Sequence, residues 1–299
     1  MDWINLAAAT LRISAPLLLA GMAGLLSYQV GLINIALEGL MLAGAFAGVA
    51  LGYELGSTWL GVGGAVITGA ALGAAFAFAV VTMRANLIVA GLALNTFAVG
   101  GTAYLMKIIY DQSGTFTPEG LSKLPLVHIP LVEDMPGLGD ILSGHSPLVY
   151  LSWVLVPLTS IFLYRAVVGG HIRAVGEFPD AAETAGISVK AMQYLALILG
   201  GALCGLAGAY LSLGNLALFR ERMTNDRGFI ALAAVYFAAA RPKWTAVACL
   251  VFGFFEALQV RLQLRDTFLP NEFLNMMPYL MVVVALVLIS VRKEWRKGW

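Results

Sequence analysis

Five polar side chains lie inside long apolar runs of this sequence. Glu38 follows Asn34 by four residues and Gln259 follows Glu256 by three, so a helix would place each pair on one face. Asn95 lies in the middle of another apolar run. An ionisable group inside a membrane span is costly and is by default a functional hypothesis. Amides and carboxylates at these positions would offer hydrogen-bond donors and acceptors to a hydrophilic solute.

The same residues also have structural interpretations. Glu38 either lines a solute path, accepts hydrogen bonds from N–H groups at a helix end, or links two spans. Asn95 either lines the path or holds two helices together. Phe97 offers an aromatic ring that could stack on a flat solute. Arg12, inside the first apolar run, is expected to reach the interface or to be paired.

Nothing in the sequence indicates catalysis, a metal site or a cofactor. The three histidines lie in loops without metal-ligand spacing and are expected to be solvated: His128, His145 and His171. Cys204 and Cys249 lie far apart in apolar sequence, as inert core residues do. The phosphate-binding pattern G-x-x-x-x-G-K-[ST] is absent from the sequence. This chain is therefore expected not to be an enzyme, and ATP hydrolysis would have to come from another subunit.

The elements that must position the polar residues are membrane spans. Of 299 residues, 60% are hydrophobic and 12% are charged, against about 25% charged residues in soluble proteins. Several charge-free runs reach the roughly 20 residues that cross a bilayer as a helix. We predict an all-α polytopic transmembrane protein, one domain over 1–299, with about 8–10 spans. The predicted spans are 6–28, 33–53, 59–81, 86–108, 148–168, 191–213, 228–240, 244–262 and 274–291.

One predicted span is short, and two segments between spans are hydrophilic. The run 228–240 is too short for a full span and fits a re-entrant half-helix. The segment 111–147 is a long loop, with a short helix expected near Pro136–Leu142. The basic tail VRKEWRKGW places the C-terminus and the loop 169–190 in the cytoplasm, and 111–147 and the N-terminus outside. A net charge of +1 gives no argument for a nucleic-acid partner.

The loop 169–190 contains the signals of a short helix. Pro179 suits the first helical position, and Asp180 and Glu183 lie in a first turn that favours negative charge. Gly186 fits a left-handed C-terminal cap, and Ser188 can cap the next span. The spacing predicts a helix of about two turns, either an ordinary connector or an element with a partner.

Five motifs give the chain a family resemblance. GHIRAVGEFPDAAETAGIS at 170–188 resembles the cytoplasmic loop of bacterial ABC-importer permeases, in the subfamily that carries simple sugars and nucleosides. GLINIALEGLMLAGAF at 31–46 and GALCGLAGAYLSL at 201–213 are similar to other signatures of that subfamily, as are RGFIALAAVYF at 227–237 and FGFFEALQVRLQ at 252–263. The resemblance covers nearly the whole chain.

The resemblance implies that the short helix is a coupling helix, which docks on an ATPase subunit. Its loop pattern is matched by Gly176, Glu177, Pro179, Ala182, Glu183 and Gly186. Paired alanines would seat the helix closely, and the acids would meet basic groups on the ATPase. Phe178 departs from the family's usual Asn, which either weakens the N-cap or staples the helix to an apolar neighbour. FAAARPKW at 237–244 also departs from the family's F-G-x-W-x-P.

The resemblance further implies a multi-pass protein of the bacterial inner membrane that carries nucleosides by alternating access. The implied partners are an ABC ATPase, a second, longer permease subunit in a heterodimer, and an extracytoplasmic substrate-binding protein. Two alternatives stay open: a permease for a simple sugar such as ribose or galactose, and an ion-coupled secondary carrier. A carrier that works alone has no use for a cytoplasmic coupling helix.

Overall fold

The computed structural model describes residues 3–129, 138–214 and 216–264, with three isolated positions at 276, 280 and 283. The helices, in chain order, are α1 Trp3–Gln29, α2 Leu37–Glu54, α3 Thr58–Ala77, α4 Leu87–Tyr110, α5 Leu138–Leu142, α6 Pro147–Arg165, α7 Val167–Glu177, α8 Pro179–Thr184, α9 Val189–Ala209, α10 Arg227–Phe237 and α11 Pro242–Gln263. Two-residue strands lie at Thr115–Phe116 (β1) and Phe219–Arg220 (β2). One π-helical turn, Phe78–Thr82, extends α3, and another, Tyr210–Gly214, extends α9.

Six of these helices are long and apolar enough to cross a membrane: α1, α3, α4, α6, α9 and α11. For α3 and α9 the apolar length includes the π turn that follows the helix. The predicted all-α polytopic membrane protein is confirmed, and, with the π turns included, all described helix ends but one lie within three residues of the predicted span boundaries. One boundary is wrong, because the second helix begins at Leu37 rather than at residue 33. Gly31 has a positive φ of +78°, which directs the chain away from helix. The predicted span 274–291 lies outside the continuously described residues.

Helix α9 packs against α1, α2 and α3 through small residues. A Cβ added to Gly73 of α3 would lie 2.6 Å from the carbonyl oxygen of Leu197 in α9. A Cβ on Gly44 of α2 would lie 2.7 Å from the Cα of Gly205 in α9. Glycine at these positions therefore permits the close backbone approach on which helix packing in lipid depends.

Helix α10 has only 11 residues, a length of about 16 Å at 1.5 Å per residue. That is about half of a bilayer core, as expected for a half-helix. The turn after α10 contains Ala239 and Ala240, both with positive φ. Pro242 then occupies the first turn of α11, which confirms the break predicted there.

The connections gather at two opposite ends of the bundle. At one end, β1 pairs antiparallel with β2, which joins the segment after α4 to the segment after α9. The short helix α5 precedes α6 at this end, and its bounds agree with the helix expected near 136–142. Helix α6 leads to the other end, where α7 and α8 lie. The loops predicted to face opposite sides of the membrane are thus separated by α6.

Candidate functional site

Two asparagines brace the beginning of α2. The amide oxygen of Asn95 accepts a hydrogen bond from the Gly39 N–H (2.8 Å), and its amide nitrogen donates to the Ile35 carbonyl (2.9 Å). Asn34 accepts from the Ala36 N–H (3.0 Å). Both asparagines are buried. Asn95 thus joins α4 to α2, which is the second of its two predicted roles.

Asn34 and Glu38 do not share a helix face. Asn34 lies in the non-helical stretch before α2, and Glu38 is the second residue of the helix. A spacing of four residues brings two side chains to one face only in a continuous helix, and residues 32–34 are not helical. The predicted shared face is therefore wrong, although the two residues remain close in sequence.

Glu38 caps the half-helix α10. One carboxylate oxygen accepts from the Asp226 N–H (3.0 Å) and the other from the Gly228 N–H (2.7 Å). A Cβ on Gly228 would lie 2.6 Å from the Cα of Glu38, so only glycine permits this approach. The carboxylate also lies in the first turn of α2, so two helix N-termini with positive dipole ends meet one negative charge. Of the three roles predicted for Glu38, accepting N–H groups at a helix end is observed, and because these groups belong to α10 the same contact links two helices.

An ion pair next to this cap joins α10 to α11. The guanidinium of Arg227, the first residue of α10, pairs with the carboxylate of Glu256 in α11. The side chains are 19% and 12% exposed. Arg227, the first residue of the motif RGFIALAAVYF, is not among the site residues predicted from the sequence. A basic residue at the start of a run too short to span was the available signal.

The ion pair leaves two polar atoms unused within the described chain. Arg227 Nε and the second oxygen of Glu256 are buried without a hydrogen-bond partner there. Arg227 Nε is a donor and the second oxygen of Glu256 is an acceptor, and they belong to the two side chains that pair at the N-terminus of the half-helix. Gln259 follows Glu256 by three residues on α11 and is partly buried. This arrangement can hydrogen-bond a solute that carries both donors and acceptors.

Phe97 is not part of this group. It follows Asn95 by two residues, which is about 200° around a helix. Its side chain is 66% exposed on the outer surface of α4. The structure therefore brings together Asn34, Glu38, Asn95 and Glu256 around the N-termini of α2 and α10, and leaves Phe97 outside.

At the other end of α10, the predicted short helix is confirmed as α8. Pro179 occupies its first turn, Gly186 follows it with φ +83°, and the Ser188 hydroxyl accepts from the Ala191 N–H (3.3 Å). Asp180 and Glu183 are exposed. The helix therefore presents its acids to solvent.

The expectation for the paired alanines of this loop is wrong. Ala182 is 4% exposed and packs in an apolar cluster with α1 and α7, whereas Ala181 is exposed. The alanines thus do not form one docking pair, and Ala182 seats α8 on its own chain. Of the two alternatives for Phe178, the structure agrees with the weakened N-cap, because the side chain makes no capping bond, and not with the staple, because it is 70% exposed.

Helix α7 touches the connection between α1 and α2. A Cβ on Gly176 would lie 2.8 Å from the carbonyl carbon of Gln29 and 3.2 Å from the nitrogen of Gly31. Gln29 in turn donates from its side chain to the Ala240 carbonyl (2.8 Å), directly after α10. The loop 169–190 therefore contacts the segment that leads into α2 and is connected through Gln29 to the turn after the half-helix. Glu177 is exposed beside this contact and lines a cavity of about 300 Å³.

The histidines and cysteines form no metal site among the described residues. Cys204 and Cys249 are buried, as expected. The expectation that every histidine is solvated is wrong for His145, which is 2% exposed. Burial lowers the pKa of His145 below its ordinary value of 6.5, and the nearby positive charge of Arg12 lowers it further. No local pattern indicates this burial, because the segment around His145 is polar.

Residues 6–286 match the family described as "Branched-chain amino acid transport system / permease component". The chain belongs to this permease family. Membership confirms a multi-pass membrane transport subunit rather than an enzyme. It also implies association with an ATPase and a substrate-binding protein.

Named relatives align with most of the chain. TsgC13 of Haloferax volcanii, provisionally named a glucose ABC transporter permease protein, is 34% identical over 96% of this chain and 92% of its own length. The guanosine ABC transporter permease protein NupQ of Bacillus subtilis is 37% identical over 93% and 89%. The nucleoside ABC transporter permease protein NupC of Lactococcus lactis is 30% identical over 92% and 89%. No solved structure matches the chain significantly.

Proposed function

We propose that this chain is a permease subunit of an ATP-driven importer, in which it forms part of the path for nucleosides. Two of the relatives above are named for guanosine and for nucleosides. The unused donor of Arg227 and acceptor of Glu256 suit the base edges and hydroxyls of a nucleoside. All 299 residues belong to one permease domain, with the extracytoplasmic loop at 111–147 and the coupling loop at 169–190.

The observation that carries the proposal is helix α8, which is exposed and packs onto the chain's own core through Ala182. Ala182 fixes it to the chain's own core, while Glu183 and Asp180 face solvent. These acids are the groups that meet basic side chains of the ATPase, and a short helix transmits a push that a mobile loop would absorb. Pro179 and Gly186 set where the helix begins and ends, and Glu177 lies at its entrance.

The contact at Gly176 provides the route from α8 to the path. When the ATPases close, α8 and α7 move together, and α7 pushes on Gln29 and Gly31. That segment leads into α2, whose Glu38 holds the N-terminus of α10. A shift of α7 would thus reorient the half-helix and the Arg227–Glu256 pair. The path would then close towards the outside and open towards the cytoplasm.

The path is completed by a second permease subunit. Many apolar side chains of α4 are exposed, among them Phe97 at 66%. An aromatic ring there reaches the solute only if the path runs between two permease subunits. We therefore place a longer permease partner against this side of the bundle, with Phe97 and Gln259 near the shared path.

Transport of a simple sugar is the second candidate. The name of TsgC13 refers to glucose, and a sugar presents hydroxyl donors and acceptors to the same atoms. The two candidates differ in the aromatic base, which only a nucleoside offers to Phe97. An ion-coupled carrier that works alone is not favoured, because the family contains components of transport systems.

Uptake in cells that lack this chain tests substrate and coupling together. Loss of labelled guanosine uptake, with glucose and ribose uptake retained, supports the nucleoside assignment; loss of sugar uptake alone overturns it. The rescue copy carries Glu183→Arg, and its matched control carries Glu119→Arg, an exposed acid in the loop 111–147. We expect only the control to restore uptake. Full rescue by Glu183→Arg would contradict coupling through α8.

A further inference from the structure

A polar cavity lies at the end of the bundle opposite α8. It has a volume of about 230 Å³ and lies between α1, the segment after β1 and the π turn that ends α9. Arg12, Lys123, His145, Ser146 and Tyr210 line it. The volume is below the roughly 300–1,000 Å³ of pockets that hold drug-sized ligands. The cavity therefore suits a small ion or functional group better than a whole nucleoside.

Two of its lining residues carry buried polar atoms with no hydrogen-bond partner in the described chain. These atoms are His145 Nδ1 and Ser146 Oγ. The residues are 2% and 4% exposed. Buried polar atoms are nearly always paired, so two adjacent exceptions indicate a missing ligand.

The tautomer of His145 follows from its other nitrogen. Nε2 lies 2.8 Å from the carbonyl oxygen of Ile141. A carbonyl only accepts hydrogen bonds, so Nε2 carries the hydrogen and the neutral ring leaves a lone pair on Nδ1. Protonation of the ring would turn Nδ1 into a donor. Ser146 can donate in either state.

The cavity is positively charged. Arg12 from α1 and Lys123 from the segment after β1 line it, and no acid is among its described lining residues. Neither Arg12 nor Lys123 has a role in the proposed transport path. The titratable and charged groups around His145 are Arg12 and Lys123 at the cavity, Asp140 in α5, Tyr150 in α6 and Tyr210 in the π turn.

We propose that this cavity binds a small oxyanion, a carboxylate or phosphate group, between Arg12, Lys123, Ser146 and His145. Arg12 and Lys123 supply the charge, and the Ser146 hydroxyl donates to an oxygen of the anion. His145 takes up a proton when the anion binds, and its Nδ1–H then donates to a second oxygen. By binding both Lys123 and Arg12, the anion links the segment after β1 to α1. The site lies away from the path and does not depend on the proposed function.

Nitrogen resonances of His145 test the site directly. The full chain, with His128 and His171 replaced by Gln, is labelled with ¹⁵N-histidine and placed in phosphatidylcholine nanodiscs. Sodium acetate or phosphate is then added against sodium chloride at equal ionic strength. We expect a saturable change of the Nδ1 resonance towards its protonated position. No change with acetate, with phosphate or with phosphatidylglycerol added to the nanodiscs, or a change without saturation, would overturn the proposal. If the double variant does not fold, the wild-type spectrum minus that of His145→Gln gives the same signal.

Charge variants and lipid composition complete the test. Lys123→Gln should weaken anion binding by about tenfold or more, as expected for the loss of a charge-assisted hydrogen bond. Lys107→Gln, an exposed lysine paired with Asp111, is the matched control and should leave it unchanged. Equal affinities for both variants would contradict the assigned site. A change seen only when phosphatidylglycerol is added to the nanodiscs identifies a lipid headgroup as the source of the oxyanion.

Discussion

Replacing Gly176 by Ala should uncouple transport from ATP hydrolysis. The added methyl group would lie 2.8 Å from the Gln29 carbonyl carbon and 3.2 Å from the Gly31 nitrogen, where ordinary contacts begin near 3.4 Å. Both neighbours are backbone atoms and cannot rotate away. Helix α7 must therefore move back from the connection between α1 and α2, and the proposed route from α8 to α2 is broken at its first contact.

A matched variant separates this clash from the general effect of alanine in a helix. Gly170 lies on the same helix, and a Cβ there would meet nothing within 4 Å. Gly170→Ala should stabilise the protein by about 0.5–1 kcal/mol through reduced backbone freedom. Gly176→Ala has the same gain but an overpacking cost of about 1–3 kcal/mol. We expect it to be the less stable of the two by about that cost.

The assay compares the two variants in proteoliposomes that contain the complete transporter. Thermal unfolding midpoints report the difference in stability, and labelled guanosine uptake per ATP hydrolysed reports coupling. We expect Gly170→Ala to match the wild type, and Gly176→Ala to hydrolyse ATP with several-fold less uptake. Normal uptake per ATP in Gly176→Ala, at an unchanged unfolding midpoint, would refute both the close contact and the route through it.

Three further predictions concern the cap, the loop end and the buried histidine. Glu38→Gln removes the charge and one acceptor at α10, and should lower the free energy of unfolding by about 2–3 kcal/mol. A thermal unfolding midpoint as high as that of Glu54→Gln, a control at an exposed acid, would contradict the cap. Gly186→Ala should lower the stability of the loop by about 1–2 kcal/mol, because φ at this position is +83°, although the added methyl group would meet no neighbour. Hydrogen exchange in α8 should become faster, and exchange at the wild-type rate would contradict the prediction. The folded pKa of His145 lies below 6.5, so stability should fall as pH drops below about 6.5, where the unfolded chain binds the extra proton. In a buffer without carboxylate or phosphate, His145→Gln should make stability less dependent on pH. Equal slopes of stability against pH in the variant and the wild type would contradict the role of His145.

Local sequence signals predicted the parts of the fold that depend on neighbouring residues. Helix α8 was predicted because Pro179 and Gly186 act within one or two turns, and the spans because apolar length alone sets them. The short run that became α10 was recognised from its length. These features need no knowledge of distant contacts.

The contacts that build the site could not be predicted, because they join residues far apart in the chain. Glu38 and the α10 N-terminus are separated by 188 residues at Asp226 and by 190 at Gly228. Helical spacing suggested that Glu38 shared a face with Asn34, but Gly31 and the non-helical stretch after it break that spacing. The buried position of His145 depends on the packing of α5 and α6 around it, which no periodicity records.

We propose above that ATP hydrolysis drives nucleosides through this chain by way of α8. The most direct test is accumulation of labelled guanosine by proteoliposomes that contain this chain, its ATPase, the second permease subunit and the binding protein. We predict accumulation against a gradient with ATP, none with a non-hydrolysable analogue, and none with Glu183→Arg. Accumulation that does not require ATP, or that Glu183→Arg leaves intact, would contradict the claim.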